Sequence, residues 1–352
     1  MNLNRAAIAI LAMLAGAPFA ALGENENEGG AFYWDQDLFS ADNQDRNYTQ
    51  GLGLAWFGKR VTSGHFVTNT ARKKINDLWG LDQAFGTRPS HGLTLALTAF
   101  TPDDLTTPDP IPDDRPYAAL LAFTSDRVAL NSDETASLRT GFTLGILGLD
   151  LGRAMQTGLH NVFGGDRPRG WHNQISDGGE PTFLYSAEYR RALFQEPGPL
   201  ADWDLSYSVG GNLGYYVNGS AGIDFRLGRI KSAFYTHNPG PFDPYDKARK
   251  KAASASASTS KPKRDAYLWL RYRANLFAYN ALLEGQFRDS AVTFDGGRLN
   301  RLVHELGVGV TVDVSRNCTF TFAQYVRSSD IEGPNERDHH YGGLYFRWHT
   351  GN

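Results

Sequence analysis

From Leu302 to Val314 the chain alternates almost without a fault. Leu302, Leu306, Val308, Val310, Val312 and Val314 hold the even positions, with His304 the one exception. Glu305, Gly307, Gly309, Thr311 and Asp313 stand between them. Successive side chains on a strand point to opposite faces, so this is a strand with one greasy and one polar side. The stretch Trp203 to Val217 reads the same way, with Trp203, Leu205, Tyr207, Val209, Leu213, Tyr215 and Val217 set against Asp204, Ser206, Ser208 and Asn212. Shorter versions run through 32–39, 49–57, 92–100, 117–124, 138–148, 182–192, 221–228, 267–279, 318–327 and 341–348, which makes twelve strands.

Twelve half-greasy strands bury their apolar faces in one of two ways. In a soluble sandwich they meet in a core; in an outer-membrane barrel they face lipid, and the polar, glycine-rich faces line the inside. Three features favour the barrel. Many of the strands run to about ten residues, the span a tilted membrane strand needs. Tyr33, Trp34, Trp56, Trp203, Tyr215, Trp269, Tyr345 and Trp348 gather toward strand ends. The start of the chain also reads as an export signal: Arg5, an apolar run Ala6 to Leu14, then Ala21-Leu-Gly23 as small residues before a cleavage site. The expected organisation is a signal peptide over 1–23, then one all-β transmembrane antiparallel barrel of about twelve strands over 24–352, with a short helix in an extracellular loop. No later apolar run reaches the roughly 20 residues of a spanning helix. A net charge of -3 argues against nucleic acid as a partner, and the single cysteine, Cys318, excludes a disulfide framework or a cysteine metal site.

With a periplasmic start, connections after odd-numbered strands open outward and those after even-numbered strands open inward. Gln156 to Gln174, QTGLHNVFGGDRPRGWHNQ, follows the fifth strand and therefore lies at the outer face, as do 40–48, 101–116 and 280–301. The inward segment 58–91 looks helical between Thr70 and Phe85, with Ile75, Leu78, Trp79 and Leu81 as its apolar stripe. The inward segment 229–266 carries a basic, Ser/Ala-rich run over 246–264 that reads as solvated low complexity.

The outer face holds the residues with chemical potential. Gln156 and His160 are four apart, so one turn of helix puts an amide and an imidazole on the same side; the imidazole can take a proton from water while the amide positions the reacting group. The bland alternative is a polar loop lining. Asp35 and Asp37 are two apart on the first strand and share a face, expected to be the polar interior, with Gln36 turned outward between them. With Asp42, Asp45 and Thr49 they offer the hard oxygen ligands that calcium prefers, or form an ordinary acidic loop tip. Asp113, Asp114 or Arg115 can face a phosphorylated substrate from a proline-stiffened loop. Asp166 and Glu180 are acids close enough to His160 in sequence to orient the ring or hold a cation. There is no G-x-S-x-G elbow and no H-E-x-x-H pair, and the adjacent His339 and His340 point to opposite faces of a strand.

In order and combination these pieces resemble the outer-membrane lipid A 3'-O-deacylase family. The matching elements are the first-strand acids followed by Asp45, Arg46, Tyr48, Thr49 and Gly51, then Phe100-Thr101-Pro102 and Arg115-Pro116-Tyr117-Ala118. After them come Gln156 with His160, then Gly170, Trp171 and Gln174, then Glu180-Pro181, and Asn280 through Ser290 near the end. The family's Asn-Asp in the first strand is Gln36-Asp37 here. What the resemblance implies is an outer-membrane ester hydrolase that removes the 3'-linked acyloxyacyl group of lipid A with calcium as cofactor. His160 would be the general base, Gln156, Asp37 and Thr49 would complete the catalytic set, Gln36, Arg115 and Gln174 would contact substrate, and Asp37, Asp166 and Glu180 would bind the metal. The expected unit is a monomer. Two other readings stand beside it: a channel or structural barrel without catalysis, and a barrel phospholipase.

Overall fold

The computed structural model describes residues 29–40, 46–58, 61, 66–198, 200–237 and 264–350. The expected signal peptide over 1–23, the acids Asp42 and Asp45, and all but the last residue of the basic run 246–264 lie outside the described residues.

Twelve antiparallel strands close into one barrel: β1 (Gly29–Gln36), β2 (Asn47–Phe57), β3 (Thr87–Thr101), β4 (Ala118–Leu130), β5 (Ala136–Leu147), β6 (Glu180–Glu196), β7 (Asp202–Gly214), β8 (Tyr216–Arg229), β9 (Ala266–Asn280), β10 (Leu302–Asp313), β11 (Cys318–Arg327) and β12 (His339–His349). Each strand pairs with its neighbour in sequence, and β1 closes on β12 with Tyr33 opposite Tyr345. The helices are α1 (Val67–Leu78), α2 (Leu81–Ala84), α3 (Leu151–Phe163) and α4 (Ala281–Glu284). None is long and apolar enough to cross a membrane; the crossing is made by strands, as expected for a protein of the outer membrane.

The alternation sorts as the pattern requires. Leu302, Leu306 and Val308 of β10, Val209 and Leu213 of β7 and Leu268, Leu270 and Leu276 of β9 are exposed on the outside, where lipid covers them. Tyr33, Tyr325, Tyr345 and Trp269 are buried inside. One expected strand ends early: the run 203–217 breaks at Gly214, whose φ of +146° only glycine adopts readily, and its last two residues open β8. Tyr215 occupies the turn and becomes buried instead of extending the lipid face.

The lumen is filled with matched charge. Arg226 pairs with Asp204 through Nε and Nη2, Arg271 with Asp224, and Arg273 with Glu188, all against buried or half-buried partners. Stripping such groups of water is costly, and each pair offsets that cost only because both partners are present. At the periplasmic end, residues 230–237 turn into the lumen as a plug: Ile230, Ala233 and Phe234 are buried, His237 packs against Tyr267 and Trp269, and its carbonyl accepts from Arg190. At the outer end, α4 and the loops 281–301 and 328–338 share a buried apolar cluster of Leu283, Val292, Phe294, Leu299 and Ile331. Asp330 fastens this lid by accepting from Arg115 at 2.7 Å and Arg327 at 2.8 Å. Burial works against its charge, but Arg327 and Arg115 hold the Asp330 carboxyl far below the ordinary carboxylate range. A carboxylate with a depressed folded pKa keeps its stabilising contribution above its unfolded value of about 3.9 and loses it only as pH falls through the folded value. A cavity of about 390 Å³ remains between plug and lid. Reconstituted protein is therefore expected to carry no steady current in a planar bilayer between pH 7 and about 4; stable open steps would mean that lid or plug does not seal.

Candidate active site on the outer wall

Gln36, Thr49 and Gln50 lie beside one another at the outer rim of the barrel. Tyr48, Thr98, Phe100, Leu120 and Ala122 line the internal cavity, so Ala99, Thr101 and Ala119, at alternate positions, face out. β1 leaves the expected alternation at its end. Asp35 stays inside, accepting from Tyr345 at 2.6 Å and Tyr48 at 3.1 Å. Gln36 faces out, as expected, opposite Gln50 of β2, and its Oε1 accepts from Trp34. Asp37 does not share the inward face of Asp35: the strand ends at Gln36, and Asp37 opens a 3₁₀ turn, Asp37–Phe39. It is fully buried there, its Oδ2 accepting from the Arg46 amide at 2.9 Å.

A β-bulge between Tyr48 and Gln50 gives β2 an extra residue opposite β3. Bulges re-aim side chains next to functional sites, and this one turns Thr49 onto the outer face, where its hydroxyl lies 2.7 Å from that of Thr101. Gln50, next along, is opposite Gln36 on one side and Ala99 on the other.

α3 lies across this wall against β3 and β4. Gly152, Gln156 and His160 are four residues apart in succession and form one stripe of the helix. Glycine at 152 is what lets the helix approach: a Cβ there would stand 2.7 Å from the Ala119 methyl and 2.7 Å from the Trp171 ring. Trp171, 1% exposed, packs with Ala99, Ala119, Leu105 and Tyr117, and its Nε1 donates to Gln156 Oε1 at 2.8 Å. With the carbonyl end committed to Trp171, the amide NH2 is the end of Gln156 suited to meet an anionic oxygen. His160 Nδ1 lies 2.5 Å from the Asp166 carbonyl oxygen, which can only accept; the ring proton then belongs on Nδ1 and the basic lone pair on Nε2. The turn that brings this carbonyl back requires Gly165, with φ +142° and a Cβ position only 3.0 Å from the imidazole. Gly152→Val should push α3 off the wall; misplacement on the 1 Å scale costs about 100-fold in rate, and a loss of that size in a barrel of unchanged heat-modifiable mobility is the expected result.

The remaining expected residues are placed elsewhere. Arg115 is buried in the lid pair with Asp330 and stacks 4.2 Å over Phe100, on the luminal side. Gln174 is buried in the loop beneath α3, its amide donating to Asp177. Glu180 accepts from Ser176 at 2.5 Å and from the Phe287 amide at 2.8 Å, tying the loop 281–301 to β6. Asp166 reaches His160 through its backbone, while its side chain is exposed. Asp37, Asp166 and Glu180 are thus not gathered into one cluster, and no group of three His, Cys, Asp or Glu able to hold a metal occurs among the described residues. The oxygen donors that do gather at the wall are the neutral Gln36, Thr49 and Gln50, with Asp37 next in the chain after Gln36. Gln50 was not singled out by sequence; it is 0% exposed, and neither amide atom has a hydrogen-bond partner among the described residues. A buried amide left without partners is costly, which fits a wall built to receive a ligand. Arg167 and Arg169, exposed after α3, were also missed, although the run Asp166-Arg-Pro-Arg169 announces local positive charge.

A family model described as outer membrane protein LpxR matches residues 6–350. Among solved structures, LpxR from Salmonella typhimurium superposes with a TM-score of 0.69 at 16% identity, covering 91% of this chain and 99% of that one. The β domain of the Bordetella autotransporter BrkA gives 0.37 at 11% identity, with 92% and 98% covered, and the KdgM porin 0.37 at 5%, with 91% and 98%. No curated protein matches the sequence. With nearly the whole length matched by one family model and the same barrel at its centre, the chain belongs to the outer membrane protein LpxR family, the lipid A 3'-O-deacylase family that its motifs resemble.

Proposed function

We propose that this barrel hydrolyses the ester holding the 3'-linked acyloxyacyl group of lipid A, on the outer wall where α3 lies against β3 and β4. The observation that carries this reading is the position of the Gln156–His160 stripe: a base and an amide lie on the lipid-facing side of the wall at its outer rim, where an outer-leaflet lipid presents its esters. A water proton passes to His160 Nε2 as the water oxygen bonds to the ester carbonyl carbon. The same proton is then delivered to the departing sugar oxygen, leaving a free 3' hydroxyl and a released acyloxyacyl acid. Gln156 would turn its NH2 toward the developing oxyanion, and a fixed donor of this kind is worth roughly 3 kcal/mol of barrier. Arg167 and Arg169 supply positive charge for the phosphates of such a substrate.

Calcium fits the donor chemistry of the wall better than it fits the carboxylates expected from sequence. Asp37, with the oxygens of Thr49 and Gln50, would hold it, all hard oxygen donors; when bound, the cation would polarise the ester carbonyl. The test is mass spectrometry of lipid A incubated with purified protein in calcium or in chelator. Loss of the 3' acyloxyacyl mass with calcium and its persistence with chelator is expected. An unchanged spectrum from a folded barrel in both conditions overturns the reading, and fatty acid release from glycerophospholipids alone would transfer it to a phospholipase.

A further inference from the structure

The lipid-facing side of β4 to β6 is polar in its periplasmic half, where a barrel should be greasy. Leu120, Ala122 and Thr124 line the internal cavity, as do Arg139 and Thr143 of β5, so Ser125, Arg127 and Thr140 point outward. Yet they are only 2%, 6% and 1% exposed. What covers them is α1 with the short α2 that follows it, laid against the outside of the wall. The buried stripe of α1 is Thr68, Arg72 and Asn76, all polar. Asn76 Nδ2 donates to Thr140 at 2.8 Å, Asn76 Oδ1 accepts from Tyr185 at 2.9 Å, and Arg127 meets Asp82 at 2.9 Å and the Phe85 carbonyl at 2.7 Å. Phe66 against Phe123 and Trp79 against Tyr185 clamp the two ends. The apolar stripe expected from sequence is therefore not the buried face: Leu78 is 79% exposed, and Trp79, although one edge meets Tyr185, is 56% exposed.

The outer surface of α1 divides in two. Val67, Ala71, Ile75 and Leu78, spaced by four, four and three, form one flank; Thr70, Lys73 and Asp77, spaced by three and four, form the other. Lys73 pairs with Asp77, and Lys74 lies between the flanks. The depth follows from β4. Ala119 belongs to the wall under α3, and Arg127 is eight residues lower; at about 3.3 Å per residue and a tilt near 40° that is roughly 20 Å, close to the height of the apolar band. A helix at this depth, continuous with the lipid-facing wall and split into an apolar and a charged flank, has the form of an interfacial helix.

We propose that α1 lies in the plane of the outer membrane at its periplasmic surface, with Val67 and Leu78 among the acyl chains of inner-leaflet glycerophospholipids and Lys73 and Lys74 at their phosphates. The barrel thereby grips both leaflets on one wall, with α3 above and α1 below.

Spin labels at single cysteines V67C, L78C and T70C, introduced over Cys318→Ser in the full chain and reconstituted in phospholipid vesicles, test the placement. Labels at 67 and 78 should collide several-fold more with oxygen than with a water-soluble nickel chelate, and the label at 70 should reverse that ratio. Equal nickel access at all three would put the helix in water and overturn the proposal; so would shielding of all three from both reagents. For the headgroup contact, the unfolding midpoint of the unlabelled protein should rise when phosphatidylglycerol is added to phosphatidylcholine vesicles, and Lys73→Glu with Lys74→Glu should abolish the rise. The same midpoint in both lipids would remove the lysine contact.

Discussion

Alanine in place of His160 should lower lipid A deacylation about 10³-fold, the middle of the range that a positioned general base contributes. The substitution removes the basic Nε2 while sparing what holds α3: the Trp171 to Gln156 hydrogen bond and the contact of Gly152 with Ala119 do not involve the ring. Barrel closure and heat-modifiable gel mobility should therefore be unchanged, and imidazole added to the variant should restore part of the rate as pH rises through the imidazole range. Activity within tenfold of the unsubstituted protein would assign proton removal to another group and leave His160 as a loop contact to the Asp166 carbonyl. The second arm of the comparison is Gln156→Ala, which takes away both the NH2 donor and the partner of the buried Trp171 indole. Its loss should appear in kcat together with a lower unfolding midpoint, whereas that of His160→Ala should appear in kcat alone.

How much of this was legible beforehand depended on whether a property repeats. Alternation repeats twelve times, so single irregularities such as His304 did not obscure it, and the lipid face of β10 is the one that its valines announced. The order of outward and inward connections followed from counting strands, which put His160 at the outer rim. Face-counting failed where a strand stops or bulges. Asp37 is one residue past the end of β1, and Thr49 sits in a bulge, so neither obeys a period of two. Glu180 and Asp166 looked like ligands because they are acids near a histidine in sequence. In space Glu180 anchors the loop 281–301, and Asp166 contributes a carbonyl rather than its side chain. In α1 the inversion has a different cause: a helix that docks on the outside of a membrane barrel finds polar wall residues on one side and lipid on the other, so its polar stripe is the buried one.

Gln50→Leu should make the protein more stable and less active at once, a combination that a structural role for the amide cannot produce. Leucine keeps a comparable volume and removes two buried polar atoms that have no hydrogen-bond partner among the described residues. Relieving an unsatisfied buried amide is worth about 1–3 kcal/mol, so the unfolding midpoint in detergent should rise. If the same amide meets the substrate ester or the cation beside Asp37 and Thr49, its loss removes one or two polar contacts from the bound complex. That amounts to a fall of roughly 10- to 100-fold in kcat/KM at about 1.4 kcal/mol per factor of ten. A lower midpoint would mean that the amide is satisfied within the fold, and the wall would then be an ordinary packed surface. A higher midpoint with unchanged kcat/KM would leave Gln50 out of the site and confine the chemistry to α3 and Asp37. Both changes together would identify the position, opposite Gln36 on β1 and Ala99 on β3, as one where folding stability is given up for binding.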